Sequence, residues 1–156
     1  MRAIPTGVLA LTVVLAAASS TLGGASAPPP ITLKQYTYQT VRTPPFNGQL
    51  AFYAADIVSS GKEVRLPVTV QILLGNGKRP FATDDGTMKP QEFAGYVSRL
   101  VATRAVRAIP FKIQKKGERL AFQYLSRSYV VTASELIPCS GCADRVVLTV
   151  QPELRP

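Results

Sequence analysis

The stretch EVRLPVTVQILL, at residues 63–74, decides the class of fold that the sequence predicts. Apolar residues alternate with other residues along the whole run, and these are Val64, Leu66, Val68, Val70, Ile72 and Leu74. A period of two is typical of a β-strand, because successive side chains point to opposite faces of a sheet. Pro67 has no N–H to donate to a neighbouring strand, so we expect an edge position or a bulge at that residue. The centre of the chain is therefore predicted to be β-structure.

Two segments on the N-terminal side also have strand character. Residues 32–42 contain the run Tyr-Thr-Tyr at 36–38, and aromatic and β-branched residues are common in strands. Residues 49–58 place alternate apolar residues on one face. The run TPPFNG at 43–48 separates the two segments, since proline and glycine interrupt regular structure. We expect one strand in each segment.

One helix is predicted on the C-terminal side, over residues 89–104. Thr87 precedes it as a plausible cap, and Pro90 suits a first helical turn. Apolar residues recur at helical spacing and predict a buried stripe made of Phe93, Val97, Leu100 and Val101.

Strand patterns return after the helix. Apolar residues alternate over 109–113 and again over 120–124, with the run KKGE at 115–118 between them. This arrangement is typical of a β-hairpin. Two more strands are predicted, around residues 129–133 and 146–150.

The elements together predict an α+β, mainly β fold. We expect about six strands, with the single helix between the third and fourth strands. That order matches an OB-like barrel, and a small curved sheet packed by one helix fits it equally well. Residues 32–156 are predicted to form a single globular domain, preceded by a proline-rich spacer at 28–31.

The first 27 residues have the layout of a secretory signal peptide. A basic start at Arg2 is followed by an uncharged apolar run and then by small residues ending in Ala25-Ser26-Ala27. Cleavage is expected after Ala27 or after Ala25. We therefore expect export to the periplasm or the extracellular space, and no membrane-spanning segment in the mature chain.

The absence of histidine limits the catalytic chemistry that this chain can perform. The 156 residues include 18 Lys and Arg, 9 Asp and Glu and no His, for a net charge of +9. Ser-His and Cys-His nucleophile pairs and the usual histidine-containing zinc sites are therefore excluded. A hydrolase using carboxylates remains an alternative, but no pair can be nominated, and Asp84-Asp85 is better explained as part of a turn. We expect a non-catalytic protein with no cofactor or metal.

Positive charge is concentrated between residues 99 and 127, where Glu118 is the only carboxylate. A basic surface raises the local concentration of anions, although a solvated face without a ligand explains the same composition. The expected partner is a protein of an envelope or secreted complex, or an anionic ligand such as a glycan or a lipid head group; nucleic acid is not expected. The candidate binding residues are Arg99, Arg107, Lys112, Lys115, Lys116 and Arg119.

A second candidate surface is aromatic. Tyr36, Tyr38 and Tyr53 stand among polar neighbours, and exposed aromatic rings stack on sugars or bases. Ordinary core packing is the preferred explanation for the aromatic residues of the chain in general, and these three tyrosines are the best candidates for exceptions.

The motif Cys139-Ser140-Gly141-Cys142 allows three interpretations. A structural disulfide agrees with export to an oxidising compartment. A redox-active pair needs a stabilised thiolate, usually at the N-terminus of a helix, whereas the residues that follow Cys142 are strand-like. A zinc site needs about four ligands, and the chain has two cysteines and no histidine.

The function predicted from these observations is an exported, non-catalytic protein that acts by contact. It would be an accessory or assembly subunit of an envelope or secreted complex, or a module that binds an anionic ligand. The alternative is a thiol–disulfide redox protein that uses Cys139 and Cys142.

Overall fold

Two antiparallel sheets face each other in the computed structural model, which describes residues 27–154 except 59–60, 77–80, 82–84 and 104–105. The predicted signal peptide lies outside the described residues, apart from Ala27. No helix among the described residues has the length and apolar character needed to cross a membrane.

The first sheet has four strands in the order β1-β9-β8-β7. Their bounds are Ile31–Leu33 for β1, Arg119–Tyr124 for β7, Arg127–Ile137 for β8 and Arg145–Pro152 for β9. A bulge interrupts the pairing of β8 with β9 between Ala133 and Glu135.

The second sheet has five strands in the order β5-β2-β3-β4-β6. Their bounds are Thr37–Val41 for β2, Leu50–Ala54 for β3, Val68–Gly75 for β4, Gly86–Thr87 for β5 and Val106–Ile113 for β6. All neighbouring strands in both sheets are antiparallel.

The main hydrophobic core lies between the two sheets. Phe46 precedes β3 and packs against Phe122, Tyr124 and Tyr129 of the opposite sheet, with ring centroids 4.9–6.4 Å apart. Other large buried side chains of this core are Leu33, Leu50, Phe52, Ile57, Ile72, Phe111, Ile113 and Leu148. Burial of apolar surface at about 25 cal/mol per Å² is the main force holding the sheets together.

The helix α1, Pro90–Ala102, packs on the outer face of the five-stranded sheet. Its Phe93 stacks on Tyr53 of β3, with ring centroids 4.0 Å apart. Consequently β3 is buried on both faces: Phe52 points to the other sheet, and Tyr53 points to the helix. The described part of the molecule thus has three layers, namely a sheet, a sheet and a helix.

The prediction of a mainly β fold with a single helix is confirmed for the described residues, but the barrel is wrong. The strands form two separate sheets with open edges, and the described ranges contain nine strands rather than about six. The helix follows β5, so its predicted position between the third and fourth strands is also wrong. The two short strands, β1 and β5, account for this shift, because neither is long enough to show a periodic pattern.

The strand predicted at residues 63–74 begins only at Val68. Pro67 stands immediately before it and outside the ladder, since proline cannot donate a ladder hydrogen bond. The predicted edge or bulge at Pro67 is wrong, because β4 lies in the interior of its sheet, between β3 and β6.

The predicted hairpin after the helix is a connection between the two sheets. β6 pairs with β4, whereas β7 pairs with β8. The turn at residues 114–118 stays attached to the four-stranded sheet, because Ala133 exchanges backbone hydrogen bonds with Gly117 and Glu118 at 2.8 Å. The true hairpin joins β7 to β8 through Leu125 and Ser126.

The helix differs from its prediction in its ends and its buried face. Lys89 is the N-cap and makes no side-chain hydrogen bond, while Thr87 belongs to β5. Val101, predicted to be buried, is 47% exposed, and Tyr96 is buried in its place.

Candidate functional site

Three of the predicted basic residues lie together where the chain passes from β6 to β7. Lys112 is exposed near the end of β6, and Lys115 and Lys116 are exposed in the turn that follows. Lys112 alternates with the buried Phe111 and Ile113, so its side chain points away from the sheet-to-sheet core. The strand therefore holds one ammonium group outward, and the turn adds two more.

Two further basic residues, which the sequence does not single out, lie in a segment whose end borders Lys112. Lys62 and Arg65 are exposed in the segment 61–67 that leads to β4. The end of that segment, Leu66 and Pro67, lines a shallow cleft of about 340 Å³ together with Lys112 and Gln114. We call the five exposed residues Lys62, Arg65, Lys112, Lys115 and Lys116 the basic rim. Sequence offered no signal for this pairing, because the two segments are far apart in the chain.

The carboxylates of the same segments do not cancel this charge. Glu63 and Glu118 are the two acidic residues there. The Glu118 carboxylate accepts a hydrogen bond from the Gln114 N–H at 3.4 Å, which helps to close the turn. Five basic groups against two carboxylates leave the basic rim positive.

Arg107 and Arg119 lie on the edges of the two sheets rather than in the rim. β6 and β7 are edge strands, and they lie on the same side of the molecule. The Arg107 Nη2 atom donates a hydrogen bond to the Gln123 carbonyl at 3.3 Å and so connects β6 to β7. Arg119 is exposed at the start of β7, next to the turn.

A cleft of about 380 Å³ separates these two edge strands. One wall is formed by residues 107–110 of β6, and the other by residues 121–123 of β7. We call it the edge cleft. Ile109, Pro110 and Phe122 give it apolar surface, while Arg107 adds a cation.

The structure does not bring Arg99 to this group. Arg99 is exposed in the last turn of α1, close in the chain to the start of β6. Lys112 is at the opposite end of β6, and eight residues of strand span about 25 Å. A ligand held by the basic rim would therefore have to be long to reach Arg99.

A separate groove runs beside the helix. Phe93 and Val97 of α1 form one side, and Thr69 and Gln71 of β4 form the other, around a volume of about 500 Å³. The Asp56 carboxylate lines the same groove and accepts the Thr69 N–H with both oxygens, at 3.1 Å each. The carboxylate thus continues the ladder beyond β3, which explains its position without a ligand.

The predicted aromatic surface is wrong for two of its three members. Tyr38 is 1% exposed and Tyr53 is 2% exposed, and both are packed beneath α1. The Tyr53 hydroxyl donates to the Met88 carbonyl at 2.6 Å. Tyr36 is half-buried in the turn between β1 and β2, with φ +65°. Tyr38 and Tyr53 are therefore core packing, and sequence did not reveal it because the covering helix is remote in the chain.

Three buried hydroxyl groups have no hydrogen-bond partner among the described residues. They belong to Tyr38, Thr40 and Tyr96. Burial, and next the neighbouring Tyr96 hydroxyl, raises the pKa of Tyr38 well above its usual range. Burial also raises the pKa values of Tyr53 and Tyr124. These tyrosines stay protonated at neutral pH and supply no base.

Cys139 and Cys142 lie within disulfide distance, with Cα atoms 5.2 Å apart. The pair is in the turn between β8 and β9, and a strand follows it rather than a helix. The Cys139 N–H donates to the Asp144 carboxylate at 2.9 Å. The pair therefore lies in a turn that leads into a strand, whereas a reactive thiolate is usually stabilised at the N-terminus of a helix.

The described residues bring together no group of three metal-ligating side chains. The described residues form a basic rim, an adjoining edge cleft and strand edges without a neighbouring strand, and these are features that can bind a partner. Comparisons with protein-family models, with curated proteins and with solved structures found no match to this chain.

Proposed function

We propose that the protein is an exported, non-catalytic binding protein whose basic rim contacts an anionic partner. The observation that carries the proposal is that two distant segments of the chain, one with Lys62 and Arg65 and the other with Lys112, Lys115 and Lys116, meet at the cleft lined by Leu66, Pro67, Lys112 and Gln114. In the sequence the two groups of charges are far apart, and the pairing of β4 with β6 brings their segments together.

The chemistry of the rim favours a partner with several negative charges. Clustered cations act together, since the potential of each adds to that of its neighbours over the screening length of about 8 Å at physiological ionic strength. An acidic protein surface, an acidic glycan and anionic lipid head groups all meet this requirement. The proposal includes export, which rests on the sequence of the first 27 residues.

The test compares two triple charge reversals that change the net charge equally. The first replaces Lys112, Lys115 and Lys116 by Glu. The second replaces Lys34, Lys89 and Arg127, which are exposed outside the rim, by Glu. Binding of each variant to dextran sulfate, to vesicles with anionic lipid and to an acidic polypeptide is measured at low and high salt.

We expect the rim variant to bind at least one of these probes about tenfold more weakly than the control variant, equal to about 1.4 kcal/mol. Wild-type binding should also weaken as salt rises. Equal losses in the two variants would show that only the overall charge matters and would contradict a binding rim. Unchanged thermal unfolding would establish that both variants are folded.

A further inference from the structure

We propose that the free edge of β7 binds an extended acidic peptide segment as an added strand. This inference rests on the proposed function, because it names the partner of the same basic side of the molecule. Peptides that add to a sheet edge gain affinity from main-chain hydrogen bonds and specificity from alternate side chains.

The backbone of β7 is available for such pairing. β7 pairs with β8 on one side only, and no other described strand lies beside it in the sheet. The β7–β8 turn has two residues, so Tyr124 and Arg127 form the first hydrogen-bonded pair. Hydrogen-bonded and non-hydrogen-bonded pairs then alternate along the ladder. The N–H and C=O groups that point to the free edge therefore belong to Arg119, Ala121 and Gln123.

One contact supports this assignment directly. The Gln123 carbonyl accepts the Arg107 guanidinium at 3.3 Å, so it does point away from β8 toward β6. Before a strand is added, this carbonyl is therefore hydrogen-bonded to the exposed Arg107 side chain. The exchange replaces one hydrogen bond and frees Arg107 for a carboxylate of the peptide.

β7 is a better acceptor of a strand than β6. Pro110 is in the middle of β6 and has no N–H, which is a common way of protecting an edge strand from pairing. β7 contains no proline. The positive charge around β7 opposes pairing with other strands. Negative charge on the partner would remove this opposition.

The alternation of side chains along β7 determines which residues of the bound segment should be apolar and which should be acidic. Leu120, Phe122 and Tyr124 point to the core, whereas Arg119 points outward. Every second residue of an added strand would enter the edge cleft beside Ile109 and Phe122 and should be apolar. The remaining residues would lie beside Arg119 and should be acidic. The preferred segment therefore alternates apolar and acidic residues.

The charges on this side also argue against pairing between two copies of the chain. Antiparallel pairing of β7 with another β7 would bring Arg119 of each copy toward the Gln123 end of the other, where Arg107 is bound, and like charges close together across strands are destabilising. Residues 1–30 contain no Asp or Glu, so they do not provide the acidic segment either.

The test uses a synthetic seven-residue peptide of alternating Glu and Val. A second peptide of the same sequence carries N-methyl groups on alternate backbone nitrogens, which block strand pairing on one edge while leaving the charge unchanged; both methylation registers are made. Binding is measured by calorimetry, and amide exchange is followed by NMR. The protein variant Ala121→Pro removes an edge N–H, and Lys112/Lys115/Lys116→Glu tests the rim separately.

We expect the unmodified peptide to bind, and the amide protons of Ala121 and Gln123 to exchange more slowly in the complex. One methylation register and Ala121→Pro should each weaken binding at least about tenfold. Equal binding of all peptides would mean that charge alone acts, which overturns strand addition and leaves the proposed function intact. No binding of any peptide would overturn it as well. Dimerisation of the free protein that Ala121→Pro abolishes would assign the edge to a second copy.

Where Ala121→Pro fails to fold, the methylated peptides and the exchange protection still decide the question on the wild-type protein. Loss of binding in the rim variant alone, with no effect of methylation, would support the rim and contradict the strand. The two proposals are thereby separated.

Discussion

Neighbouring residues of β6 differ sharply in what their side chains contribute. Phe111 is 2% exposed in the core between the sheets, while Lys112 is exposed in the basic rim. Sequence analysis predicted this alternation from the period-two pattern, and it is confirmed. It has a direct consequence for stability.

Phe111→Ala should lower the free energy of unfolding by about 3–5 kcal/mol, because it removes buried contacts and leaves a cavity. Lys112→Ala should change it by less than about 0.5 kcal/mol, as surface substitutions usually do. Urea denaturation of the two variants makes the comparison. Similar losses in both would mean that the faces of β6 are assigned incorrectly.

Tyr38 makes the fold sensitive to alkaline conditions. Its pKa is raised by burial above the ordinary value of 10.0, so the folded state keeps a proton that the unfolded state loses. Stability from this group is therefore fully present below pH 10 and is lost as pH rises beyond it. The free energy of unfolding should decline above pH 10, and Tyr38→Phe should make that decline shallower.

The measurement is urea denaturation at several pH values between about 9 and 11.5, with tyrosinate absorbance recorded in parallel. Tyr53 and Tyr124 have raised pKa values too, so part of the decline should remain in Tyr38→Phe. Identical pH profiles for the variant and the wild type would contradict the role of Tyr38.

Among the elements, the β7–β8 hairpin has unfavourable residues at its turn. Leu125 and Ser126 have φ values of +48° and +68°, the left-handed conformations of a type I′ turn, which favours Asn-Gly. Leu125 is also 62% exposed. Replacing the pair by Asn-Gly should raise the free energy of unfolding by about 1 kcal/mol, since a bulky residue in this region costs about 1–2 kcal/mol.

Thermal unfolding checks this prediction, and Leu125→Ala is the matched control. Alanine keeps the Cβ atom that causes the steric cost, so it should give little gain. A decrease in Tm for the Asn-Gly variant would show that Leu125 makes a stabilising contact.

The turn with Cys139 and Cys142 is expected to be structural. Replacing both cysteines by Ser should lower Tm modestly, because a short loop stabilises less than the roughly 3 kcal/mol of a loop of about 15 residues. Binding to the anionic probes should persist. Turnover of a dithiol substrate that Cys139→Ser abolishes would instead support the redox alternative.

Sequence patterns identified individual elements better than the connections between them. The helix was found because its stripe repeats over three turns, whereas β1 has three residues and β5 has two. The alternation in β6 and β7 predicts a hairpin, but the same alternation and the same short turn also occur when a chain crosses between sheets. Alternation specifies which side chains are buried, but not which strand covers them.

At the scale of the whole molecule, part of the candidate site was predictable. Lys112, Lys115 and Lys116 are close in the sequence and were nominated from it. The segment that carries Lys62 and Arg65 lies beside Lys112 only because β4 and β6 are paired, and sequence gives no measure of that pairing. The same limitation explains Tyr38 and Tyr53, which become core residues when a helix from a distant segment packs over them.

Export is a prediction for the whole chain. The mature protein should begin between Ser26 and Pro28, because signal peptidases cut after small residues. N-terminal sequencing and intact mass of protein from its native host provide the measurement. A chain that keeps residues 1–18 would contradict the expected location and the export part of the proposed function.

The pairing of β1 with β9 affects how fast the chain acquires its structure. Ile31 lies opposite Leu148, so the four-stranded sheet is completed by a contact between residues near opposite ends of the sequence. Contacts this distant slow folding, since the entropy of a very long loop is lost before the contact forms. If the chain is exported as proposed, the four-stranded sheet cannot be completed before β9 is available, and this slow last step favours translocation of a polypeptide that is not yet fully folded.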